Sequence, residues 1–264
     1  MSKFIDKLNR LSRGETQAIG FTARASASPK AKIQLVAGLA AESAGSLTGH
    51  VAGADAGLLS ISKPGAEAEA LQKIAQALPD IPWGCWLQGS DKGEIKQLTR
   101  AGCDFAVFPA ADTPLTIIEN EKTGRILEIE PSLNEGLLRA INQLDIDAVF
   151  IAGKEQESKA LTWQHLMLFR RFADLLTRPL LVTVPSQVTA GELKSLWEAG
   201  VAGVVVEVTE KQPEDRLKKL RREIDKLEFP SLRRHNRAEA LLPRISGESS
   251  TATAEDEEEE EEED

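Results

Sequence analysis

From residue 33 onward the chain alternates between short apolar runs and longer stretches of helical periodicity. The runs fall at 33–37, 57–61, 84–88, 105–108, 126–130, 148–152, 180–184 and 203–208. Each is four to six residues long and rich in Val, Ile, Leu and Phe, the composition of strands buried on both faces. The stretches between them carry helix signals. Thr189 with Glu192 makes a capping box, and Leu193 and Leu196 follow at helical spacing. Ser132 with Glu135 repeats the device ahead of Leu137, Leu138, Ile141 and Leu144, and Asp91 with Glu94 is a weaker version. Pro213 suits a first helical position, and Leu217, Leu220, Ile224 and Leu227 then form one apolar stripe.

Ala-Gly pairs at 52–53, 101–102 and 199–200 each close a predicted helix just before a strand, where glycine fits the left-handed position. Their spacings, 49 and 98 residues, are two and four steps of a unit of roughly 25 residues. Glycines before strands two, four and eight give that ratio. The phrase L-x-x-A-G-x-x-x-x-V recurs at 98–107 and 196–205. Eight strand–helix units predict parallel strands with right-handed crossovers, and eight is the number that closes a (β/α)8 barrel. Over 33–228 the chain thus resembles the aldolase-type TIM-barrel superfamily, and the resemblance implies one compact α/β barrel domain. An open doubly wound sheet is the alternative, with no G-x-G-x-x-G turn to support it. Residues 1–32 are expected over the barrel bottom or its outside, with a short strand at 18–21. Residues 229–246 read as a basic extension and 247–264 as a disordered acidic tail.

The net charge of −10 belongs to that tail. Residues 255–264 are all acidic; taking those ten from the 42 Asp+Glu leaves 32, equal to the 32 Lys+Arg. With no positive field over the body, a general nucleic-acid binder is not expected. Residues 211–244 hold 11 Lys+Arg against 6 Asp+Glu, with Arg233, Arg234, His235 and Arg237 clustered, which the tail can cover transiently. Removing 255–264 is expected to leave the melting temperature nearly unchanged while exposing the basic segment. A large loss at both low and high salt would place the tail inside the fold. Cys85 and Cys103 form neither a disulfide framework nor a metal pattern and read as buried thiols. No apolar stretch is long enough for a membrane span, and the N-terminus lacks a leader's apolar core. A cytoplasmic protein is the expectation.

Chemistry in such barrels sits at the C-terminal ends of the strands. Of the histidines, His50 precedes the second strand, His165 lies in a helix and His235 in the extension, so none is expected at the mouth. The turns after strands seven and eight carry no glycine, and Glu207 and Glu210 would repel a phosphate there. Alternation in each strand turns Gln34, Ser60, Ser62, Trp86, Gln88, Glu128, Glu130, Thr183, Val205 and Glu207 toward the barrel axis. That is more polarity than packing requires. It predicts a small pocket with Glu130 as general base or cation ligand and Lys63 or Lys154 as electrophile or anchor. Ser60, Gln88, Glu128, Thr183 and Glu207 then contact the substrate. A class I aldolase would carry a Schiff-base lysine on strand six, but Lys154 follows Gly153, beyond the strand. Two functions stay open. One is a lyase or isomerase using carboxylates, with or without a divalent metal, on an unphosphorylated carbonyl or carboxylate compound. The other is a non-catalytic barrel serving as a binding or interaction module.

Overall fold

Hydrogen bonding joins eight strands into a closed parallel barrel: β1 (Gln34–Ala40), β2 (Ala56–Ile61), β3 (Trp83–Leu87), β4 (Phe105–Pro109), β5 (Gly124–Ile129), β6 (Ala148–Ile151), β7 (Leu180–Val184) and β8 (Val201–Glu207). Each strand lies beside its sequence neighbours, and β8 returns to β1 with Val36 opposite Val205 and Gly38 opposite Glu207. That closing pair removes the open doubly wound sheet as an alternative. The structure, a computed structural model, describes residues 2–13, 33–40, 48–61, 71–73, 75–76, 80–87, 98, 100–115, 123–153, 160–209 and 213–227. The helices are α1 (Lys3–Arg13), α2 (Glu135–Ile141), α3 (Trp163–Leu175), α4 (Ala190–Glu198) and α5 (Arg216–Lys226). Met1–Ser231 makes one unit and Leu232–Asp264 another. The strand expected at 18–21, the 91–94 capping pair, the basic extension 229–246 and the acidic tail lie outside the described residues. None of the described helices is long and apolar enough to cross a membrane.

Strand alternation divides the core in two. Leu35, Leu59, Cys85, Leu127, Val149, Val182 and Val204 face the helices and pack on Leu193, Leu196, Leu217, Leu220 and Ile224. Val36, Leu58, Val107, Ile126, Phe150, Leu181 and Val205 face the axis and fill the barrel. The parity read from the sequence is the one observed in every strand where it was assigned.

The bottom of the barrel is closed by α1. Phe4, Ile5 and Leu8 join the inner core, and the Phe4 and Phe105 ring centroids are 4.6 Å apart. Asp104 caps this helix from across the chain. Its carboxylate accepts from Ser2 Oγ (2.7 Å), Lys3 N (2.8 Å) and Phe4 N (2.9 Å), which are donors a helix start leaves unsatisfied. Asp55 and Asp147, placed likewise before β2 and β6, instead accept from the strand amides of Leu35 and Arg125, both at 2.8 Å. Arg221 of α5 pairs with Asp55 and so ties the last helix to the β1–β2 edge.

The glycines behave as their spacing predicts: Gly53, Gly102 and Gly200 have φ of 99°, 98° and 96° and precede β2, β4 and β8. At Gly53 and Gly200 an added Cβ would also clash with Lys218 or Ala173. One helix start matches expectation and three depart from it or add to it. Thr189 and Glu192 form the full capping box at α4. At α2 the cap is Asn134, whose side chain accepts from Leu137 N, because Ser132 Oγ is spent donating to Glu130. At α3 a capping box forms with Thr162 and His165, whose Nδ1 accepts from Thr162 N at 3.1 Å. Pro213 is not the first helical residue. It lies in the turn before α5, where its carbonyl accepts from Arg216 N.

Candidate active site

The pairing registers are staggered so that inward side chains of alternate strands share one height, four to a layer. Above Gln34 and Gly124 at the lower rim, the layers run Ala56, Phe105, Ala148 and Gly203; then Val36, Gly84, Ile126 and Leu181; then Leu58, Val107, Phe150 and Val205. These are apolar or glycine. The next layer is Gly38, Trp86, Glu128 and Thr183, and the uppermost is Ser60, Pro109, Ala152 and Glu207. The character changes at a single step along the axis.

Exposure changes at the same step. Leu58, Val107, Phe150 and Val205 are buried, whereas every residue of the two upper layers is partly exposed. Their outward-facing neighbours Leu59, Leu87, Leu127, Ile129, Val182, Val184 and Val206 are buried. The exposed surface of the upper layers therefore opens onto the barrel mouth, which makes a recess floored by Phe150 and Val205.

Trp86 and Glu128 meet inside it. They lie on β3 and β5, two strands apart, and the indole Nε1 donates to Glu128 Oε2 at 2.6 Å. The ring is fixed from below by Phe150, edge-on at 5.2 Å and 87°. Burial pushes the Glu128 carboxyl above the ordinary glutamate value, and the Trp86 hydrogen bond draws part of that shift back. On the facing side Gly38 leaves room; a Cβ there would come 3.2 Å from Val205 Cγ1. Thr183 also faces inward. Its Oγ1 is covered and has no hydrogen-bond partner among the described residues.

The other candidates are placed as follows. Ser60 and Glu207 face the mouth from the uppermost layer and are partly exposed. Glu130 lies one residue beyond β5, exposed, with its Oε2 accepting from Ser132 Oγ at 3.0 Å. Lys63, Lys154, Gln88 and Ser62 lie outside the described residues. No histidine is at a described strand mouth; His50 sits in the turn Thr48–Val51 before β2. Among the described residues no group of three or more His, Cys, Asp or Glu is placed to hold a metal ion. The two inward carboxylates alone are a thin donor set for a hard cation, which takes six or more oxygens.

The turn after β7 is held by hydrogen bonds of its own. Val188 N is engaged by Pro185 O, and the Arg216 guanidinium draws the carbonyls of Ser186 (3.3 Å) and Val188 (2.6 Å) toward itself. A phosphate site needs free backbone N–H groups there. Sequence reasoning found the missing glycine but not Arg216. It also placed Trp86 inside without its partner, since a contact between residues 42 positions apart depends on the stagger.

No protein-family model matches the chain, and no curated protein matches it. Solved structures do. A point mutant of the tryptophan synthase alpha-subunit from Pyrococcus furiosus superposes with a TM-score of 0.58 at 14% identity, over 74% of this chain and 98% of that one. A second Pyrococcus furiosus alpha-subunit structure gives the same figures. A protein from Aquifex aeolicus VF5 gives 0.59 at 12% identity, over 84% of this chain and 96% of that one. The fold is the (β/α)8 TIM barrel. At these identities the likeness extends to the architecture, and the chemistry of this TIM barrel rests on its own mouth residues.

Proposed function

We propose that this TIM barrel is a small-molecule lyase or isomerase acting on an unphosphorylated carbonyl or carboxylate compound, with Glu128 as the proton-transfer group. The observation that carries this is the Glu128 carboxyl in the recess, raised by burial and held at one oxygen by Trp86. The hydrogen bond fixes Oε2 and leaves Oε1 for the ligand. A raised value brings the protonated and ionised forms closer to balance near neutral pH, which is what proton transfer in both directions requires. In the ionised form Oε1 takes a proton from the carbon beside the substrate carbonyl. In the protonated form it returns that proton to carbon or to the carbonyl oxygen. Phe150 and Val205 close the floor to water, and Ser60 offers a hydroxyl to orient the carbonyl. Glu130 at the rim, with Lys63 and Lys154, which follow β2 and β6 in the sequence, would anchor the outer end of the substrate. Lys63 and Lys154 would serve as electrophiles if they reach the carbonyl.

The test is depletion of compounds from a small-molecule extract, followed by mass spectrometry with the wild type and Glu128→Gln side by side. The wild type is expected to consume a compound and yield either a same-mass product or two fragments of complementary mass. Glu128→Gln is expected to slow this by roughly 10²–10⁴-fold. Equal turnover by the folded variant, or no depletion by the wild type, would overturn the proposal.

One observation favours the alternative, a non-catalytic binding or interaction module. Trp163 and Met167, one turn apart on α3, are 82% and 71% exposed. Trp163 also lines a surface depression with Leu161, Thr162, Leu166, Glu192 and Ser195. An absence of any depletion, with Trp163→Ala abolishing capture of a partner, is the result expected of that module.

A further inference from the structure

We infer that Gly38 decides what can reach Glu128. By carrying no side chain it leaves a slot across the barrel axis from the carboxyl. The slot admits a substrate only by a slender, unbranched end that bears the reacting carbon. This rests on the proposed reaction at the same mouth and adds to it the shape of the substrate and the residue that selects it.

Topology sets Gly38 opposite Glu128. Strand order in the closed barrel puts β1 across from β5 and β3 across from β7. In their shared layer Gly38 therefore faces Glu128, with Trp86 and Thr183 on the two flanks. The other three members carry side chains, so the empty quarter is the one in front of the carboxyl. Gly38 is partly exposed between buried Ala37 and Leu39, so its surface opens to the recess. The layer below is closed by Leu58, Val107, Phe150 and Val205, all buried, and a group entering from the mouth stops there.

Neither packing nor the backbone demands a glycine at 38. Elsewhere in the strands a buried side chain takes the place of the missing Cβ. At Gly57 that Cβ would lie 2.1 Å from Trp83 Cζ3, at Gly84 2.2 Å from Phe105 Cε2 and at Gly124 2.5 Å from Ile5 Cγ1. Gly203 has room for a Cβ but is buried in the filled part of the barrel. At Gly38 the nearest atoms are Val205 Cγ1 at 3.2 Å, Val206 O at 3.6 Å and Glu207 Cα at 3.7 Å. The valine methyl is the tight contact, and the recess above gives it space to yield. Gly38 is not among the glycines with positive φ, and β1 runs through it in register with both neighbours, so it serves neither a turn nor a bulge. A glycine inside a strand weakens it, and where no bulge explains the glycine, close approach by another group does. Here that group comes from the mouth. A slot one side chain wide takes a methyl or methylene with its carbonyl. A carbon branched beside the carbonyl needs a second quarter of the layer, and Trp86 and Thr183 hold those.

The experiment follows Glu128 in carbon-detected spectra of the full chain with labelled glutamate carboxyls, its signal assigned by loss in Glu128→Gln. The probes are two uncharged amides, acetamide and the branched trimethylacetamide. Acetamide is expected to shift the Glu128 signal with roughly millimolar affinity, as its four heavy atoms allow. Trimethylacetamide is expected to leave the signal in place. Gly38→Ala should weaken acetamide binding about 10-fold, and Gly38→Val should abolish it. Melting temperatures separate this from a packing role. Gly38→Ala is expected within about 2 °C of the wild type or above it, whereas Gly57→Ala should fall by several degrees. An unmoved Glu128 signal at roughly 100 mM acetamide would overturn the inference. So would equal shifts by the branched amide, undiminished acetamide affinity in Gly38→Ala, or a melt of Gly38→Ala as low as that of Gly57→Ala. Gly38-dependent acetamide binding without any turnover would refute the proposed reaction and keep this inference. Glu128-dependent turnover that Gly38→Ala and Gly38→Val leave unchanged would do the reverse.

Discussion

Phe105→Ala is expected to destabilise the barrel by about 3–5 kcal/mol, the upper range for a large-to-small core change. For a unit of this size that is a fall of roughly 6–20 °C in melting temperature. The reason is the composition of its layer. Phe105 shares its height with Ala56, Ala148 and Gly203, so one side chain supplies nearly all the volume of that layer. It is 1% exposed. Above it Gly84 has given up its side chain for the ring; a Cβ there would lie 2.2 Å from Phe105 Cε2. Below it the Phe4 ring packs at 4.6 Å. Neither the glycine nor the alanines can expand into the void, so little of the cavity can collapse. Phe105→Leu keeps much of the volume and is expected to cost far less. Calorimetric melts of the two variants check this. A loss below about 1 kcal/mol for the alanine variant would mean that the ring does not fill this layer.

Glu128→Gln is expected to abolish most turnover while leaving the fold intact or firmer, and the size of its effect on stability depends on pH. Burial raises the folded-state value above that of the unfolded chain, so the folded protein holds the proton longer. Wild-type stability therefore falls as pH rises from the ordinary glutamate value toward the raised one. Glutamine has no proton to lose in that window. Its melting temperature should accordingly gain on the wild type as pH rises through it, and match the wild type below it. Trp86→Phe removes the one hydrogen bond that opposes the shift, so it should move the Glu128 titration further upward. A carbon-detected titration of labelled glutamate carboxyls reads both effects. A Glu128 midpoint at or below the ordinary glutamate value would remove the physical basis for proton transfer at this residue.

The legible part of this molecule was whatever repeats with a short period. Inward and outward positions follow the two-residue pleat, and Ser60, Glu128, Thr183 and Glu207 all fall on the expected face. The three glycines at the helix ends follow the chain's own larger repeat. What the sequence hides is set by geometry between strands. Glu130 shares its parity with Glu128, yet β5 ends at Ile129, and beyond the ladder alternation no longer aims a side chain inward. The meeting of Trp86 with Glu128 follows from the barrel's stagger. The histidine in the Thr162 capping box escaped notice because Glu or Gln is the residue usually sought there. Arg216 escaped because its targets are backbone carbonyls, which carry no sequence signal.

The capping of α1 by Asp104 has a consequence for synthesis on the ribosome. Ser2 and Asp104 are 102 positions apart, so α1 leaves the exit tunnel long before its cap exists. At about 5–20 residues per second the delay is on the order of 5–20 seconds. For that interval Phe4, Ile5 and Leu8 have no barrel floor to cover. A helix made well before its cap is thus seated late, and during the wait its apolar face is open to whatever holds nascent chains.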